Sequence, residues 1–140
     1  MTPKEFFMQA HRIDHKIKSD MDELDRLREL STSISSIQMG DRVQSSANDA
    51  RFVRCIDSIQ KLEQEIGKEV EIYVKLKEQI RQTIETAKSP DEQVVLKYRY
   101  LSHMSWERIS DALFADRTTI YRWHQSALNH VKMPKEPIII

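Results

Sequence analysis

The sequence predicts an all-α protein: a long N-terminal helical hairpin or coiled coil, then a C-terminal three-helix domain of helix-turn-helix type. Three observations predict it. Strand punctuation is nearly absent, with 2 Gly and 4 Pro in 140 residues. Apolar residues recur at steps of three and four over much of the first 87 residues, the spacing of a helical stripe. Beyond Pro90, three short amphipathic stretches follow one another across short loops.

The totals narrow the function classes. Hydrophobic residues make up 39% and charged residues 31%, a balance that suits a helix-rich soluble chain with long charged faces. The net charge is zero, which excludes bulk electrostatic capture of nucleic acid. A single cysteine, Cys55, excludes an internal disulfide or a Cys-rich metal site and points to a reducing compartment. No signal peptide is expected, and the sequence holds no apolar run of bilayer length. The closing Ile138-Ile139-Ile140 is far too short, so no membrane partner is expected.

The first helix is expected over about residues 3–30. Thr2 can cap it, Pro3 fits its first turn, and Glu5 can reach back as a capping box. Its stripe is Phe6, Ala10, Ile13, Ile17, Met21, Leu24 and Leu27, with mostly charged residues between. Residues 31–48, rich in Ser and holding Gly40, lose the period and read as a long connection with a short turn of helix at most. A second helix is expected over about residues 49–88. Phe52, Ile59, Ile66, Tyr73, Ile80 and Ala87 fall seven apart. Ile56, Val70 and Ile84 are assigned to the second seam, interrupted at Glu63 and Lys77 with Leu62 and Leu76 beside them.

At 1.5 Å per residue this second helix is a rod of about 57 Å. It cannot bury its stripe alone, and the first helix covers only part of it as an antiparallel partner. The remainder suggests a homodimer through the long helix, or another protein. The charges along both helices read as solvated faces. Pro90 disfavours helical geometry at Ser89, and both tryptophans and three of the four tyrosines lie beyond it. The domain boundary is therefore placed at 89/90, with a C-terminal domain over 90–133 and a tail over 134–140.

Three helices are readable in that domain. Asp91–Leu101 has acids in its first turn. Ser105 caps a second helix running from Trp106 to Phe114. Asp116 caps a third, Arg117–Lys132, which keeps Ile120, Trp123, Ala127 and Val131 on one face. The last two are joined by about three residues around Phe114-Ala115, the layout of a helix-turn-helix.

With Ile120 and Trp123 turned inward, the opposite face carries Arg117, Thr118, Tyr121, Arg122 and, one turn on, Gln125, with Thr119 at the side. A recognition helix puts such side chains into the major groove. Arg can bond guanine in bidentate fashion, Gln can bond adenine, and a Thr or Tyr body can touch a thymine methyl. Thr118 and Thr119 are poor helix formers for an exposed first turn, so contact explains them better than stability does. Residues 117–132 hold Arg117, Arg122 and Lys132 and no acid. The competing reading is a small helical bundle whose surface happens to be Arg/Thr/Tyr.

The stretch resembles the fourth region of sigma factors. The residues that carry the resemblance are Val95-Leu96-Lys97-Tyr98-Arg99-Tyr100-Leu101, then Glu107-Arg108-Ile109-Ser110-Asp111-Ala112-Leu113, then Ile120 to Val131. It covers about 40 residues and is moderately specific, since several helix-turn-helix families share parts of it. Phe114 stands where the family's turn usually has Gly, and Ser110 is the small residue inside the second helix. Phe114 then needs either a right-handed turn or some strain. The whole layout, including the Ser-rich Asp41–Ser46, resembles small phage-encoded late-gene regulators of the ArpU-like and RinA-like kind.

That resemblance implies an activator that binds double-stranded promoter DNA and works with host RNA polymerase in the cytoplasm of a bacterial host cell. No cofactor is expected. By the same resemblance Ser105 and Trp106 meet a phosphate through backbone N–H groups. Arg99 either adds a phosphate contact or pairs with a nearby acid.

Other readings stay open. His11 and His15 lie four apart with Asp14 beside them, a spacing that can hold a metal. No third ligand or protease-type base is evident nearby, and coincidence on a polar face is the simpler account. His103, His124 and His130 are scattered and read as partly buried or surface residues. No Gly-rich phosphate loop or activated nucleophile is present, so an enzyme is not expected. A phage terminase small subunit would also join a helix-turn-helix to oligomerising helices. A helical adaptor would bind polymerase without reading DNA. The tail Pro134–Ile140 is either a mobile end or a short apolar segment that docks.

Overall fold

The computed structural model describes the backbone of residues 1–40 and 45–140, and the side chains among them except 35–40 and 45–46. It is all-α: α1 (Pro3–Gly40), α2 (Ser45–Ile84), α3 (Pro90–Leu96) widening into a π-helical turn (Lys97–Leu101), α4 (Trp106–Leu113) and α5 (Arg117–His130). Among the described residues there is no strand.

The helix ends follow local chemistry. At α1 the Thr2 amide donates to Glu5 Oε2 (2.7 Å) and the Glu5 amide to Thr2 Oγ1 (3.2 Å), a reciprocal capping box. Helix α1 runs on through Ser31–Gly40, and α2 begins at Ser45. The expected connection over 31–48 is thus corrected: serine content lowers helix propensity by only tenths of a kcal/mol per residue, too little to stop an established helix. The resemblance drawn on Asp41–Ser46 lies outside the described side chains. Helix α2 closes at Ile84, and amides of Thr86 and Ala87 bond back three residues to Thr83 and Ile84 in a tight last turn.

The chain forms two compact units, one of His15–Glu71 and one of Met1–Asp14 with Ile72–Ile140. In the first, two helical stretches run antiparallel. Lys16 Nζ bonds Glu69 and Asp20, Arg28 Nη2 meets Glu63 Oε1 at 3.0 Å, and Cys55 Sγ donates to the Leu27 carbonyl. Their core is Leu24, Cys55, Ile59 and Leu62, flanked by Leu27, Ile34, Ile56 and Ile66.

The stripes need two corrections. On α1 Met21 is half exposed, while Asp20 is largely covered and takes the seam position. On α2 Cys55, Leu62, Glu69, Leu76 and Thr83, seven apart, form the second seam, whereas Val70 is 39% exposed; of the other two expected members, Ile84 is fully buried and Ile56 packs beside the core. The apparent breaks at Glu63 and Lys77 vanish, because those residues stand one position off the seam.

In the second unit the packing does not divide at 89/90. Phe6, Phe7 and Ala10 of α1, Leu76, Ile80 and Ile84 of α2, and Val95, Leu96, Ile109 and Ile120 beyond them are all fully buried. Phe7 stacks on Tyr100 at 5.0 Å. The tail docks here. Gln79 donates to the Glu136 carbonyl and accepts from the Ile138 amide, and Gln9 donates to the Ile138 carbonyl and accepts from the Ile140 amide, all within 2.9 Å. Two glutamine side chains thus take the place that a neighbouring strand would have.

Candidate nucleic-acid interface

Helix α5 is seated by Ile120, His124, Ala127 and Val131, all buried. His124 therefore belongs to the seating face, with Trp123 only half-buried at its flank. Its Nε2 lies 2.7 Å from the Tyr100 hydroxyl, and its ring meets Trp106 edge-on at 4.7 Å. Burial, with the nearby cations Lys4 and Arg99, pulls the His124 pKa down to about 4. Burial pushes Tyr100 up to about 12. Both groups stay neutral near pH 7, which suits a hydrogen bond enclosed by aromatic rings.

A second buried anchor fixes α3 to the end of α5. Glu92 is 5% exposed, and accepts from Ser126 Oγ (2.6 Å), His130 Nδ1 (2.9 Å) and the Lys88 amide (3.0 Å). Burial raises its pKa, but Ser126, His130 and the Lys88 amide together outweigh that and hold it below the usual range. Nothing in the spacing of Glu92 separates it from an ordinary first-turn acid, so this anchor was not legible in the sequence.

The turn ahead of α5 is tight. Phe114 closes α4 in the left-handed region (φ 52°, ψ 39°) with its ring 96% exposed. This answers the expectation at the glycine-like position on the side of strain, about 1 kcal/mol for a residue with a Cβ. Ser110 Oγ donates to the Ala115 carbonyl, and the Ala115 amide to the Ser110 carbonyl. That explains a small hydroxyl residue inside α4. Asp116 Oδ1 then accepts from the Thr119 amide at 2.8 Å, and the Thr119 hydroxyl and amide together hold the Asp116 carboxyl below its usual range.

Five of the expected residues share one exposed face of α5: Arg117, Thr118, Tyr121, Arg122 and Gln125. Arg117 stands 3.9 Å from Glu107, both well exposed, a contact too loose to hold it. Thr119 instead engages the Asp116 cap. Ser105 Oγ accepts from the Arg108 amide as the cap of α4. Trp106 packs against Tyr121 at 5.0 Å, and Arg99 lies over its ring at 4.5 Å. Arg99 Nη1 donates to the Met104 carbonyl at 3.1 Å, so its partners are a carbonyl and an indole rather than the acid considered above. The histidine spacing on α1 resolves differently from a metal pair: His11 Nδ1 lies 3.0 Å from His103 Nδ1, whose Nε2 meets the Tyr73 hydroxyl at 2.7 Å.

A family model describing a protein of unknown function, DUF1492, matches residues 29–132. The chain belongs to the DUF1492 family. The match takes in α2, α3, α4 and α5, and stops short of the tail. No curated protein and no solved structure matches the chain significantly. Among the described residues, no helix is long and apolar enough to cross a membrane.

Proposed function

We propose that this DUF1492 protein is a sequence-specific, double-stranded-DNA-binding transcription regulator whose helix α5 enters the major groove. One observation carries the reading. Helix α5 is anchored by Ile120, His124 and Ala127 and by Glu92, and turns Arg117, Thr118, Tyr121, Arg122 and Gln125 outward together. Apart from the Trp106 ring against Tyr121, none of these five is taken up by a tight partner in the protein, and helix α5 contains no acid. Base-edge readout needs such donors on a rigid element. The resemblance to phage late-gene regulators supports the finer reading of an activator working with host RNA polymerase.

A polymerase-binding adaptor is the second reading, and Phe114 is the observation that favours it. An aromatic ring 96% exposed at a strained turn gains nothing within its own fold. One experiment separates the two. The purified protein is footprinted on DNA spanning its own gene and the downstream intergenic regions, with and without host polymerase, beside an Arg117→Ala/Arg122→Ala variant. The DNA-reading proposal expects a discrete protected site lost in the variant, roughly 1–3 kcal/mol per lost bidentate contact. Absence of protection by the wild-type protein in both conditions would sink it.

A further inference from the structure

In the unit of Met1–Asp14 with Ile72–Ile140, a cleft of about 400 Å³ runs beside α5. Its walls include Lys4 of α1, Arg99 of the π-helical turn, Trp106 at the start of α4, and Tyr121, His124 and Gln125 of α5. We propose that this cleft holds a backbone phosphate of the bound DNA between Lys4 and Arg99, so that the first turn of the N-terminal helix is part of the nucleic-acid interface. The proposal rests on the DNA-reading function above and adds a contact that the helix-turn-helix alone does not contain.

Four observations carry it. Two cations line the cleft, and no Asp or Glu is among its described lining residues. Arg99 is fixed rather than waving: its guanidinium carbon lies 4.5 Å from the Trp106 ring centre and Nη1 donates to the Met104 carbonyl, which holds its charge at the cleft wall. A positive charge held in place in this way is stabilised by an anionic oxygen. Lys4 is exposed at the surface, as a phosphate contact must be. Finally, Tyr121 and Gln125 belong both to this cleft and to the outward face of α5. A duplex engaged by that face brings its nearest sugar-phosphate strand to the cleft. The two cations also act on one buried point, His124, whose protonation they oppose after burial has done so. A third positive charge is thereby kept out, and His124 remains a neutral wall.

The test uses the full-length chain and fluorescence anisotropy with the footprinted duplex, titrated over a range of salt concentrations. Lys4→Ala is expected to weaken binding, to lower the slope of log affinity against log salt by about one, and to leave the footprint boundaries and melting temperature unchanged. Lys4→Arg is expected to restore the slope. Wild-type affinity and slope in Lys4→Ala, beside loss of the site in Arg117→Ala/Arg122→Ala, would overturn this proposal and leave the reading of α5 standing. Failure of the wild-type protein to bind any duplex would overturn both. A third arm separates sources of phosphate. Inorganic phosphate is titrated against the tryptophan fluorescence of the DNA-free protein. A change that Lys4→Ala abolishes, without any effect of Lys4→Ala on DNA affinity, would assign the cleft to a free anion and overturn the DNA contact.

Discussion

The two compact units bury their cores to different depths. Phe6, Phe7, Leu76, Ile80, Ile84, Val95, Leu96, Ile109 and Ile120 have no exposure, and all lie in the unit that contains the helix-turn-helix. In the His15–Glu71 unit the core residues Leu24, Cys55, Ile59 and Leu62 each keep 6–8%. The difference is one of layers. Two helices laid along each other shield a seam from two sides only, whereas α3, α4 and α5 close the other core from the remaining directions. Most polar groups divide likewise, with Asn48 of the His15–Glu71 unit a buried exception. Asp20, Glu69 and Lys16 form a seam layer at the water's edge, with Lys16 62% exposed. Glu92, Gln9 and His124 are instead buried, and each is held by hydrogen bonds.

The largest expected effect separates these cores directly. Phe7→Ala removes a fully buried ring stacked on Tyr100 and is expected to cost about 3–5 kcal/mol. Leu62→Ala, in a seam that water already reaches, is expected near the lower end of the Leu→Ala range, about 2–3 kcal/mol. Urea unfolding followed by tryptophan fluorescence and by far-UV circular dichroism reads both, since both tryptophans lie in the helix-turn-helix unit. Equal costs would mean that the seam is as closed in solution as the other core.

The next effect tests the strap that Gln9 and Gln79 form with the docked tail. Gln9→Ala removes both hydrogen bonds to the Ile138 carbonyl and the Ile140 amide. It should destabilise by about 1–2 kcal/mol and make the tail sensitive to carboxypeptidase. Unchanged digestion would show that Gln79 alone holds it. A smaller effect comes from His124. Its folded pKa is lowered, so the unfolded chain takes up the proton first as pH falls from about 6.5. Stability from the neutral ring is complete above that range and is lost between about 6.5 and 4. The loss between about pH 7 and pH 5 is expected to be on the order of 1 kcal/mol. The lowered carboxylates Glu92 and Asp116 act only at lower pH. His124→Gln should flatten this stretch of the pH profile, and a profile as steep as wild type would assign the titration elsewhere.

Legibility in the sequence follows the range of the interactions involved. The caps at Thr2, Ser89, Ser105 and Asp116 are contacts between residues three apart, and those singled out from the sequence formed as expected. So did the three-residue turn before α5 and the outward face of Arg117, Thr118, Tyr121, Arg122 and Gln125. Periodicity located the stripes but slipped by one at Asp20 and at Cys55–Leu62–Glu69. Hydropathy prefers Met21 and Val70 there, while tertiary pairing through Lys16 places the acids on the seam. The strap from Gln9 to the tail spans 129 residues and the Glu92–Ser126 pair 34, and neither carries a local pattern. Packing runs across the 89/90 boundary for the same reason. That boundary rests on a change in composition, whereas Phe6, Phe7 and Tyr100 bury one another across it.

The smallest expected effects form an exchanged pair, one residue in each unit. Gly67 lies inside α2, exposed, and a Cβ built there meets nothing within 4 Å. Nothing in its own fold requires the missing side chain. Gly67→Ala should therefore stabilise by about 0.5–1 kcal/mol through helix propensity alone. Phe114 is the reverse case, a residue with a Cβ held at φ 52° and exposed almost completely. Phe114→Gly relieves left-handed strain of about 1 kcal/mol but loosens the unfolded chain, so a net gain of a few tenths of a kcal/mol is expected. Thermal melts at two protein concentrations measure both. If Gly67→Ala raises the melting temperature equally at each concentration, glycine there is simply a weak point of a solvated helix. If it lowers the melting temperature, and more so at high concentration, a second helix packs against the bare backbone of α2. Gly67 would then mark an association face of the long helix, shaped for a partner rather than for the isolated fold.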